Sequence, residues 1–395
     1  MIIRSVLIQL ILFIFFCSHA ISQTEWPLKE WLVATPQSMG LNKDSLQSFD
    51  RDIANGKYGN VDGMVITRDG KLVYQQYFRH NYDSIYGDSA RVTSALNPLD
   101  PGGPYNYYNS WWHPYYRRGD LHTLQSVTKT ITSVIIGVAT TRHEFPELST
   151  RVLSFFDTTR VKNIDDRKRR MTIRDLLTMT AGFDWDEDLH YSDPRNDCSR
   201  MESSFDWVQY VIDRPMAIEP GQSFKYNSGA SQILSYIFRK ATGIDIEEYA
   251  VKYLFTPLGI NHHFWKRTPT GLVDTEGGLY LAATDLAKIF YLFLKKGNWN
   301  GVQLVSAEWV NASTSPSATV GPKVNYGYKW WLFSYGNDNT KYARAGSGFG
   351  GQWPIMIPEY NIVAVFTGWN IIPGKPSLRV GDAIRRIVNA ISEKK

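Results

Sequence analysis

The stretch of sequence that decides the fold is Ser126-Val127-Thr128-Lys129, which opens a long apolar run ending near Arg142. Apolar residues at helical spacing along this run predict an α-helix. If Ser126 lies in its first turn, Lys129 follows one turn later on the same face, where the two side chains can meet. A serine hydroxyl needs an adjacent base, and a lysine amine can serve if burial lowers its pKa. The pair therefore predicts a nucleophile and its base beside the N–H groups of a helix N-terminus.

The same spacing recurs at the C-terminus, in Ser392-Glu393-Lys394-Lys395. Only the copy at Ser126 follows a predicted strand, residues 121–124, and begins a long apolar helix. We therefore place the chemistry at Ser126, because catalysis in a polar terminal tail would lack a buried site.

A second element, Tyr226-Asn227-Ser228, lies further downstream. A phenol held near ammonium groups can carry a proton between the serine and a leaving group. The hydroxyl of Ser228 is expected to contact either the Lys129 amine or the substrate. Similar triplets occur elsewhere in the chain, so the triplet alone is not specific. This copy follows a predicted tight turn and precedes a predicted helix, which favours it.

A third element is the glycine-rich run Gly346-Ser347-Gly348-Phe349, which precedes two predicted strands. Glycine in a strand lets another backbone approach closely. Gly346, Ser347 and Gly348 are therefore predicted to bind substrate. Taken alone, the run is equally typical of a glycine-rich bulge or hairpin.

Strand patterns lie towards both chain ends, and helical patterns lie between them. A hairpin is predicted over residues 64–78, and later strands over residues 328–333, 353–357 and 361–367. This order predicts an α+β fold, with one antiparallel sheet from both chain ends, flanked by helices, and an inserted all-helical domain.

The predicted domains follow from that order. The α/β sheet domain is discontinuous and comprises residues 23–82 and 321–395. The helical domain spans residues 83–320 and includes an irregular, aromatic-rich insert at residues 83–118. Such a long irregular stretch inside a compact domain suggests a functional role.

Together, in this order, the three elements resemble the serine β-lactamase and penicillin-binding protein superfamily. The class C-like serine hydrolase branch is the most similar; it includes esterases, D-aminopeptidases and 6-aminohexanoate-dimer hydrolases. Further blocks carry the resemblance: Thr172-Ile173-Arg174-Asp175-Leu176-Leu177-Thr178-Met179-Thr180-Ala181-Gly182, Glu219-Pro220-Gly221, Pro257-Leu258-Gly259-Ile260 and Asp285-Leu286-Ala287-Lys288. The resemblance covers most of the chain and implies a β-lactamase/transpeptidase-like fold.

The resemblance also implies a role for each site residue. Ser126 would be the acylated nucleophile, Lys129 its base and Tyr226 the proton shuttle. Ser228 takes the place where the family often has Asn. The oxyanion hole would be formed by the backbone N–H groups of Ser126 and Phe349, and no metal or organic cofactor is implied.

One departure from the family pattern concerns substrate. The third motif usually begins with Lys or His, and Gly346 stands there in this chain. Arg344, two residues earlier and on the same face of a strand, is a candidate replacement for that cation. Because the cation helps to hold the carboxylate of a β-lactam, its absence favours an ester or amide substrate.

The insert holds a dense group of aromatic residues just before the nucleophile: Tyr105, Tyr107, Tyr108, Trp111, Trp112, Tyr115 and Tyr116. One interpretation is a lip in which Trp112 stacks on a sugar ring or a flat acyl group. The other is structural, with the aromatic residues covering the helical domain.

Composition excludes several classes of protein. The chain has 395 residues, 43% hydrophobic and 14% aromatic, which excludes disordered, collagen-like and coiled-coil proteins. The net charge of +5 is too small and scattered for nucleic-acid binding. The basic run at residues 167–170 is predicted to be a solvated loop. Neither His262-His263 nor the acidic run at residues 184–188 has the spacing of a zinc or calcium site.

Residues 1–22 resemble a secretory signal, with one charge, an apolar run and small residues before a cleavage site between Ser22 and Gln23. This predicts a periplasmic or secreted protein with no membrane segment after cleavage. A lipoprotein anchored through Cys17 is the less favoured alternative. Cys198 would then be the remaining cysteine, so no internal disulfide is expected, and its acidic neighbours predict an unreactive thiol.

The leading hypothesis from the sequence is an exported serine hydrolase that cleaves a small or oligomeric ester or amide through an acyl-enzyme on Ser126. The alternative is a non-catalytic envelope protein that keeps the fold and binds peptidoglycan or glycan. The missing third-motif cation motivates the alternative, and the intact Ser126, Lys129 and Tyr226 argue against it.

Overall fold

The computed structural model describes residues 26–27, 30–92, 102–336 and 340–392. The predicted signal segment with Cys17, and residues 393–395 of the C-terminal Ser-x-x-Lys copy, lie outside the described residues. Among the described helices, none has the length and apolar composition needed to cross a membrane.

The strands, in chain order, are β1 Leu32–Val33, β2 Val61–Arg68, β3 Lys71–Tyr77, β4 His122–Thr123, β5 Phe264–Trp265, β6 Leu279–Leu281, β7 Asn298–Trp299, β8 Val302–Gln303, β9 Ala318–Gly321, β10 Val324–Tyr326, β11 Trp331–Tyr335, β12 Lys341–Ala345, β13 Trp353–Ile357 and β14 Ile362–Gly368. The α-helices are α1 Lys43–Ala54, α2 Tyr82–Tyr86, α3 Val127–Thr141, α4 Asp166–Arg170, α5 Ile173–Leu177, α6 Asp197–Glu202, α7 Trp207–Ile212, α8 Ser228–Thr242, α9 Ile246–Ala250, α10 Ala283–Leu294, α11 Ala307–Ser313 and α12 Val380–Asn389.

The main sheet of the described chain has nine strands in the order β1-β3-β2-β14-β13-β12-β11-β10-β9. Neighbouring strands are antiparallel except at the edge, where β1 runs parallel to β3. The sheet therefore joins strands from both ends of the chain, and the helices lie between them in sequence. The predicted α+β fold is confirmed.

The β2–β3 hairpin shows why the sequence folds this way locally. Asp69 and Gly70 both have positive φ, at 49° and 80°. Two such residues form the tight turn whose twist matches a pair of antiparallel strands, and Asp-Gly is a favoured sequence for it. The turn thereby pairs Arg68 with Lys71 and Thr67 with Leu72, and beyond them a shift in register pairs Ile66 with Tyr74.

The two faces of the sheet bury different layers. On one face, α1 and α12 pack through Phe49, Ile53, Ile384 and Ile387. The other face carries α10 and the helical region, in which α3 is buried along residues 127–139. Each fully buried side chain of this size stabilises the fold by about 1.5–3 kcal/mol. Helix α3 is thus the central helix, and its first turn lies at the boundary between sheet and helices.

The basic run at residues 167–170 is not a solvated loop, and that prediction is wrong. It forms most of α4, and Lys168 is fully buried. The Lys168 ammonium donates to the carbonyl oxygens of Lys162, Ile212 and Arg214 at 2.7 to 2.9 Å. A lysine whose three N–H groups find carbonyl acceptors can be buried without a carboxylate.

Several boundaries also differ from the sequence prediction. The strand expected at residues 328–333 begins at Trp331. Arg344 lies on strand β12 as expected, but this strand ends at Ala345, so Gly346 follows it. Helix α5 begins after Thr172, with a capping box between Thr172 and Asp175.

Candidate active site

Ser126 lies at a sharp turn between β4 and α3. It is the residue that caps the helix, and the Lys129 N–H donates to its carbonyl oxygen at 3.1 Å. The preceding Gln125 has a φ of 47°, a strained conformation for a residue with a side chain. The Gln125 amide donates to the Thr123 hydroxyl at 2.9 Å and so stabilises this turn.

The structure brings together the three residues predicted to carry the chemistry. The Lys129 ammonium donates to the Ser126 hydroxyl at 2.7 Å. The phenol of Tyr226 interacts with both side chains, and the Lys129 nitrogen lies 5.3 Å from the centre of its ring. Trp331 stacks on the outer side of Tyr226, with ring centroids 5.9 Å apart.

The protonation of Lys129 differs from the sequence expectation. Burial by itself lowers its pKa, but the interactions with Tyr226, Glu276 and Glu187 reverse the effect and raise the pKa above its ordinary value. Lys129 is therefore an ammonium group in this structure, and the prediction of a base made neutral by burial is wrong. The physical reason is Glu276, which accepts from the Lys129 ammonium through its main-chain oxygen at 2.7 Å and its carboxylate at 3.2 Å.

Tyr226 is also affected by its surroundings. Burial raises its pKa, Lys129 opposes this effect and Glu187 adds to it, so that the net shift is upwards. The phenol is therefore protonated at neutral pH, and it is placed to donate a proton rather than to remove one first.

The glycine-rich run lies directly against the nucleophile turn. A Cβ atom on Gly348 would lie 2.4 Å from the carbonyl oxygen of Leu124, and one on Gly346 would lie 3.0 Å from the Val127 side chain. Glycine is required at position 348 because a main-chain atom lies this close, whereas at position 346 the Val127 side chain would have to shift. Phe349 follows directly, and among the described residues no acceptor is bound by its main-chain amide or by that of Ser126. These amides are available for an oxyanion.

Gly346 stands where the third motif usually holds a lysine. A Cβ at this position would lie 3.0 to 3.1 Å from the side chains of Val127 and Pro354, so a larger residue would require them to shift. Arg344 is partly buried, and its guanidinium donates to the main-chain oxygen of Tyr342 at 2.8 Å. Its use as a substitute cation stays a prediction, as does the substrate-binding role of the half-buried Ser347.

The hydroxyl of Ser228 donates to Glu187 at 2.6 Å, and its main-chain amide donates to the same carboxylate at 2.8 Å. Glu187 also accepts from Trp185 and Tyr191, each at 2.8 Å. Glu187 belongs to the acidic run at residues 184–188, which forms a loop. Unlike an ordinary loop residue, Glu187 is buried and its charge acts on Lys129. Its acidic neighbours in sequence gave no indication of this role.

The insert contributes two kinds of aromatic residue. Tyr105 and Tyr107 are buried, and the Tyr107 ring contacts the edge of Phe349 with centroids 6.4 Å apart. Trp112 is half-buried, donates to the Gly102 carbonyl at 2.8 Å and packs beside Tyr116. The inner part of the insert is therefore structural, whereas contact between Trp112 and substrate stays a prediction.

A buried acidic cluster lies behind Lys129. Donor atoms of Cys198, Glu202 and Glu276 all lie within 4.8 Å of one another, which is close enough to surround a metal ion. The ammonium group of Lys129 already contacts this cluster, so we assign no metal to it. Burial and the nearby glutamates raise the pKa of the Cys198 thiol well above its ordinary value, which confirms that it is unreactive.

The sheet, the helical region and a Ser-x-x-Lys pair at the start of a buried helix define the class of β-lactamase- and penicillin-binding-type proteins. A family model described as Beta-lactamase matches residues 49–368. The chain belongs to the beta-lactamase family, and the resemblance found in its motifs is confirmed.

The individual relatives have low sequence identity to this chain. A 6-aminohexanoate-dimer hydrolase of Paenarthrobacter ureafaciens is 24% identical over 286 residues, which cover 64% of this chain and 68% of that protein. The structure of EstCE1, a hydrolase with promiscuous acyltransferase activity, superposes with a TM-score of 0.65 and 14% identity over 90% of this chain and 99% of that one. The octameric penicillin-binding protein homologue of Pyrococcus abyssi has a TM-score of 0.61 and 20% identity, covering 89% and 78%. These structural similarities show the fold alone.

Proposed function

We propose that this protein is an exported serine hydrolase that cleaves a small or oligomeric ester or amide through an acyl-enzyme on Ser126. The observation that carries the proposal is the 2.7 Å contact between the Lys129 ammonium and the Ser126 hydroxyl, with Tyr226 beside both. The beta-lactamase family and the hydrolases among its relatives support it. Export to the periplasm or medium is proposed from the signal-like segment at residues 1–22.

In the proposed acylation, the Lys129 ammonium passes one proton to the buried groups around it and accepts the Ser126 hydroxyl proton, while the serine oxygen bonds to the substrate carbonyl carbon. The oxyanion accepts from the main-chain amides of Ser126 and Phe349. Tyr226 donates its proton to the leaving alcohol or amine as the bond to the acyl group breaks, and Lys129 returns a proton to Tyr226. Water then attacks the acyl-enzyme and releases the acid.

An ester or amide substrate is favoured over a β-lactam. Gly346 stands at the position of the cation that would bind the drug carboxylate, and Val127 and Pro354 pack closely around it. The aromatic ring beside the nucleophile is that of Tyr226, which stacks on Trp331. Such surroundings suit an uncharged, flat or apolar acyl group.

A fluorophosphonate probe tests the nucleophile. Wild-type protein is expected to be labelled, and Ser126→Ala is expected to abolish the labelling. Ser133→Ala is the matched control, because this serine lies on the same helix, is buried and has no hydrogen-bond partner among the described residues. Equal labelling of Ser126→Ala and wild type would refute the assignment.

Substrate class is tested by comparing p-nitrophenyl butyrate with nitrocefin. We expect kcat/KM to be at least about 100-fold higher for the ester, since the carboxylate-binding cation is missing. A higher value for nitrocefin would contradict the substrate assignment. Absence of turnover with esters, D-amino-acid amides and acetylated sugars would favour the non-catalytic peptidoglycan- or glycan-binding alternative.

Replacing the phenol tests the proton path. In Tyr226→Phe we expect kcat for ester hydrolysis to fall by about 10²-fold or more, a typical contribution of general acid catalysis. The ring and its stacking on Trp331 are retained, so thermal unfolding should change little. A kcat within threefold of wild type would remove Tyr226 from the proton path.

A further inference from the structure

A series of buried, contacting side chains begins at Lys129, next to the nucleophile. Lys129 contacts Glu276 twice, at 2.7 Å through the main-chain oxygen and at 3.2 Å through the carboxylate. Lys129 is 1% exposed and Glu276 is 4% exposed, so solvent does not screen this pair. Helix α3 supplies the amine, and the turn between β5 and β6 supplies the acid.

Glu276 in turn faces a second carboxyl group, Glu202 of α6, to which it is hydrogen-bonded. Two buried carboxyl groups in contact hold one proton between them, because like charges at this distance are costly. Burial and Glu276 raise the pKa of Glu202 well above its ordinary value. For Glu276, burial acts in the same direction but Lys129 and Lys266 outweigh it, and its pKa is lowered. The shared proton therefore resides on Glu202.

The chain ends in the aromatic insert. The Tyr107 hydroxyl donates to the Glu202 carboxyl, and the Tyr107 ring contacts Phe349, whose amide is the proposed oxyanion donor. The insert therefore contacts the site at two points, through the hydrogen bond from Tyr107 to Glu202 and through the contact of its ring with Phe349.

The turn that carries Glu276 is rigid. The Asp274 carboxylate accepts from the main-chain amides of Glu276 and Gly277 at 3.1 and 2.9 Å. The Thr275 amide donates to Gln232 of α8 at 3.1 Å. A Cβ on Gly278 would lie 2.7 Å from Asp274. These contacts hold the Glu276 carboxylate in place before any substrate binds.

We propose that Glu276 is a positioning residue of the proposed hydrolase, and that its carboxylate takes up a proton from Lys129 as Lys129 acts as base. The inference rests on the proposed function. The pKa shifts keep this proton on Lys129 in the free protein; it moves to Glu276 only as the Ser126 proton passes to the Lys129 nitrogen and the serine oxygen bonds to the carbonyl carbon. No proton leaves the protein in this exchange. Glu202 remains protonated and donates to Glu276 while the latter is a carboxylate.

This exchange predicts a distinctive dependence on pH. Because the proton stays within the protein, acylation by the wild type should not require hydroxide. Other titratable groups surround Glu276 and Glu202, from each element that packs against them. They are Lys129, Cys198, Lys266, Asp274, Tyr105, Tyr107 and Tyr191. Burial raises the pKa of Cys198 and of the tyrosines well above the ordinary value, and that of Asp274 to about 6. Cys198, the three tyrosines and Asp274 therefore keep one protonation state between pH 7 and 9.

The test is the second-order rate of fluorophosphonate labelling at Ser126 between pH 7 and 9. Wild type should vary by less than threefold over this range. Glu276→Gln retains the main-chain contact with Lys129 but removes the acceptor, so labelling at pH 7 should fall at least about tenfold and then rise about tenfold per pH unit. Glu202→Gln, which keeps a neutral donor towards Glu276, should lose less and keep the flat profile.

The outcomes separate this inference from the proposed function. If wild type is labelled, and Glu276→Gln reacts with an equally flat profile, Glu276 has no part in the proton exchange. If Glu276→Gln does not fold, wild type and Glu276→Asp decide: both should give flat profiles, and a tenfold rise per pH unit in wild type overturns the inference. If wild type is not labelled at Ser126, the proposed function itself fails.

Discussion

Lys129 and Lys329 are each 1% exposed, yet their surroundings move their pKa values in opposite directions. The two residues lie in adjoining segments, because the Thr130 hydroxyl on α3 donates to the main-chain oxygen of Lys329 at 2.8 Å. Lys129 contacts the carboxylate of Glu276. The Lys329 nitrogen contacts the sulfur of Met179 at 3.3 Å, a weak acceptor.

Burial favours the neutral amine at both positions, so the difference comes from the partner. For Lys329, burial is the largest effect, the charge of Lys129 adds to it, and the pKa falls well below its ordinary value. For Lys129, the interactions with Tyr226, Glu276 and Glu187 reverse the effect of burial. A Ser-x-x-Lys pair therefore identifies the amine but does not set its charge.

Lys168 gives an intermediate case away from the site. Three carbonyl oxygens accept from its ammonium, and burial lowers its pKa to about 8 although Asp213 and Asp165 oppose the shift. Neutral acceptors thus stabilise a buried ammonium less than one carboxylate does. The three lysines form a series that substitutions can test.

The largest effect is expected at Lys129. In Lys129→Met, fluorophosphonate labelling of Ser126 should slow by about 10²- to 10⁴-fold, the range typical of a lost general base. Lys375→Met, at an exposed position, is the control for loss of a lysine. Circular dichroism should show that the variant remains folded. A labelling rate within threefold of wild type would show that the partnered ammonium has no catalytic role.

A smaller effect is expected at Lys168, where stability rather than activity should change. In Lys168→Met the carbonyl oxygens of Lys162, Ile212 and Arg214 lose their donor, and the unfolding free energy should fall by about 3 kcal/mol, at roughly 1 kcal/mol for each oxygen. Urea unfolding at pH 7 measures this. Lys162→Met, whose side chain is 80% exposed, should change it by less than about 0.5 kcal/mol. A loss below 1 kcal/mol in Lys168→Met would show that the carbonyl oxygens find other donors.

The sequence predicted those parts of the site that depend on local patterns. Ser126 and Lys129 lie one helical turn apart, and the spacing alone predicts their contact. The glycine run at Gly346 and Gly348 predicted a close approach, but the approach observed is to Leu124 and Val127 of this chain, and the predicted contact with substrate stays a prediction.

The acids around Lys129 could not be predicted, because no spacing connects them. Glu276 is 147 residues from Lys129 in sequence, Glu202 lies in a short helix, and Glu187 lies in an acidic loop. Only the fold brings them to one amine. The prediction for Lys168 was wrong for the same reason. A run of four basic residues predicts solvent exposure, but the fold brings the carbonyl oxygens of Ile212 and Arg214 to the Lys168 ammonium.

The smallest effect is expected at Lys329, and its sign is the most informative. The pKa of Lys329 in the folded protein lies below the value of about 10.4 expected in the unfolded chain. At a pH between these two pKa values the unfolded chain binds more protons than the folded protein, so the stability of the wild type rises with pH. Lys329→Met removes this cost, and the variant should be up to about 1 kcal/mol more stable than wild type at pH 7. The advantage should shrink as pH approaches 10. Urea unfolding of both proteins at pH 7 and 9.5 measures the difference between their unfolding free energies. Lys168 also titrates in this range, but it does so in both proteins and therefore cancels from the difference. An advantage that does not change with pH would mean that Lys329 is charged in the folded protein, and the contrast with Lys129 would then rest on packing rather than on charge.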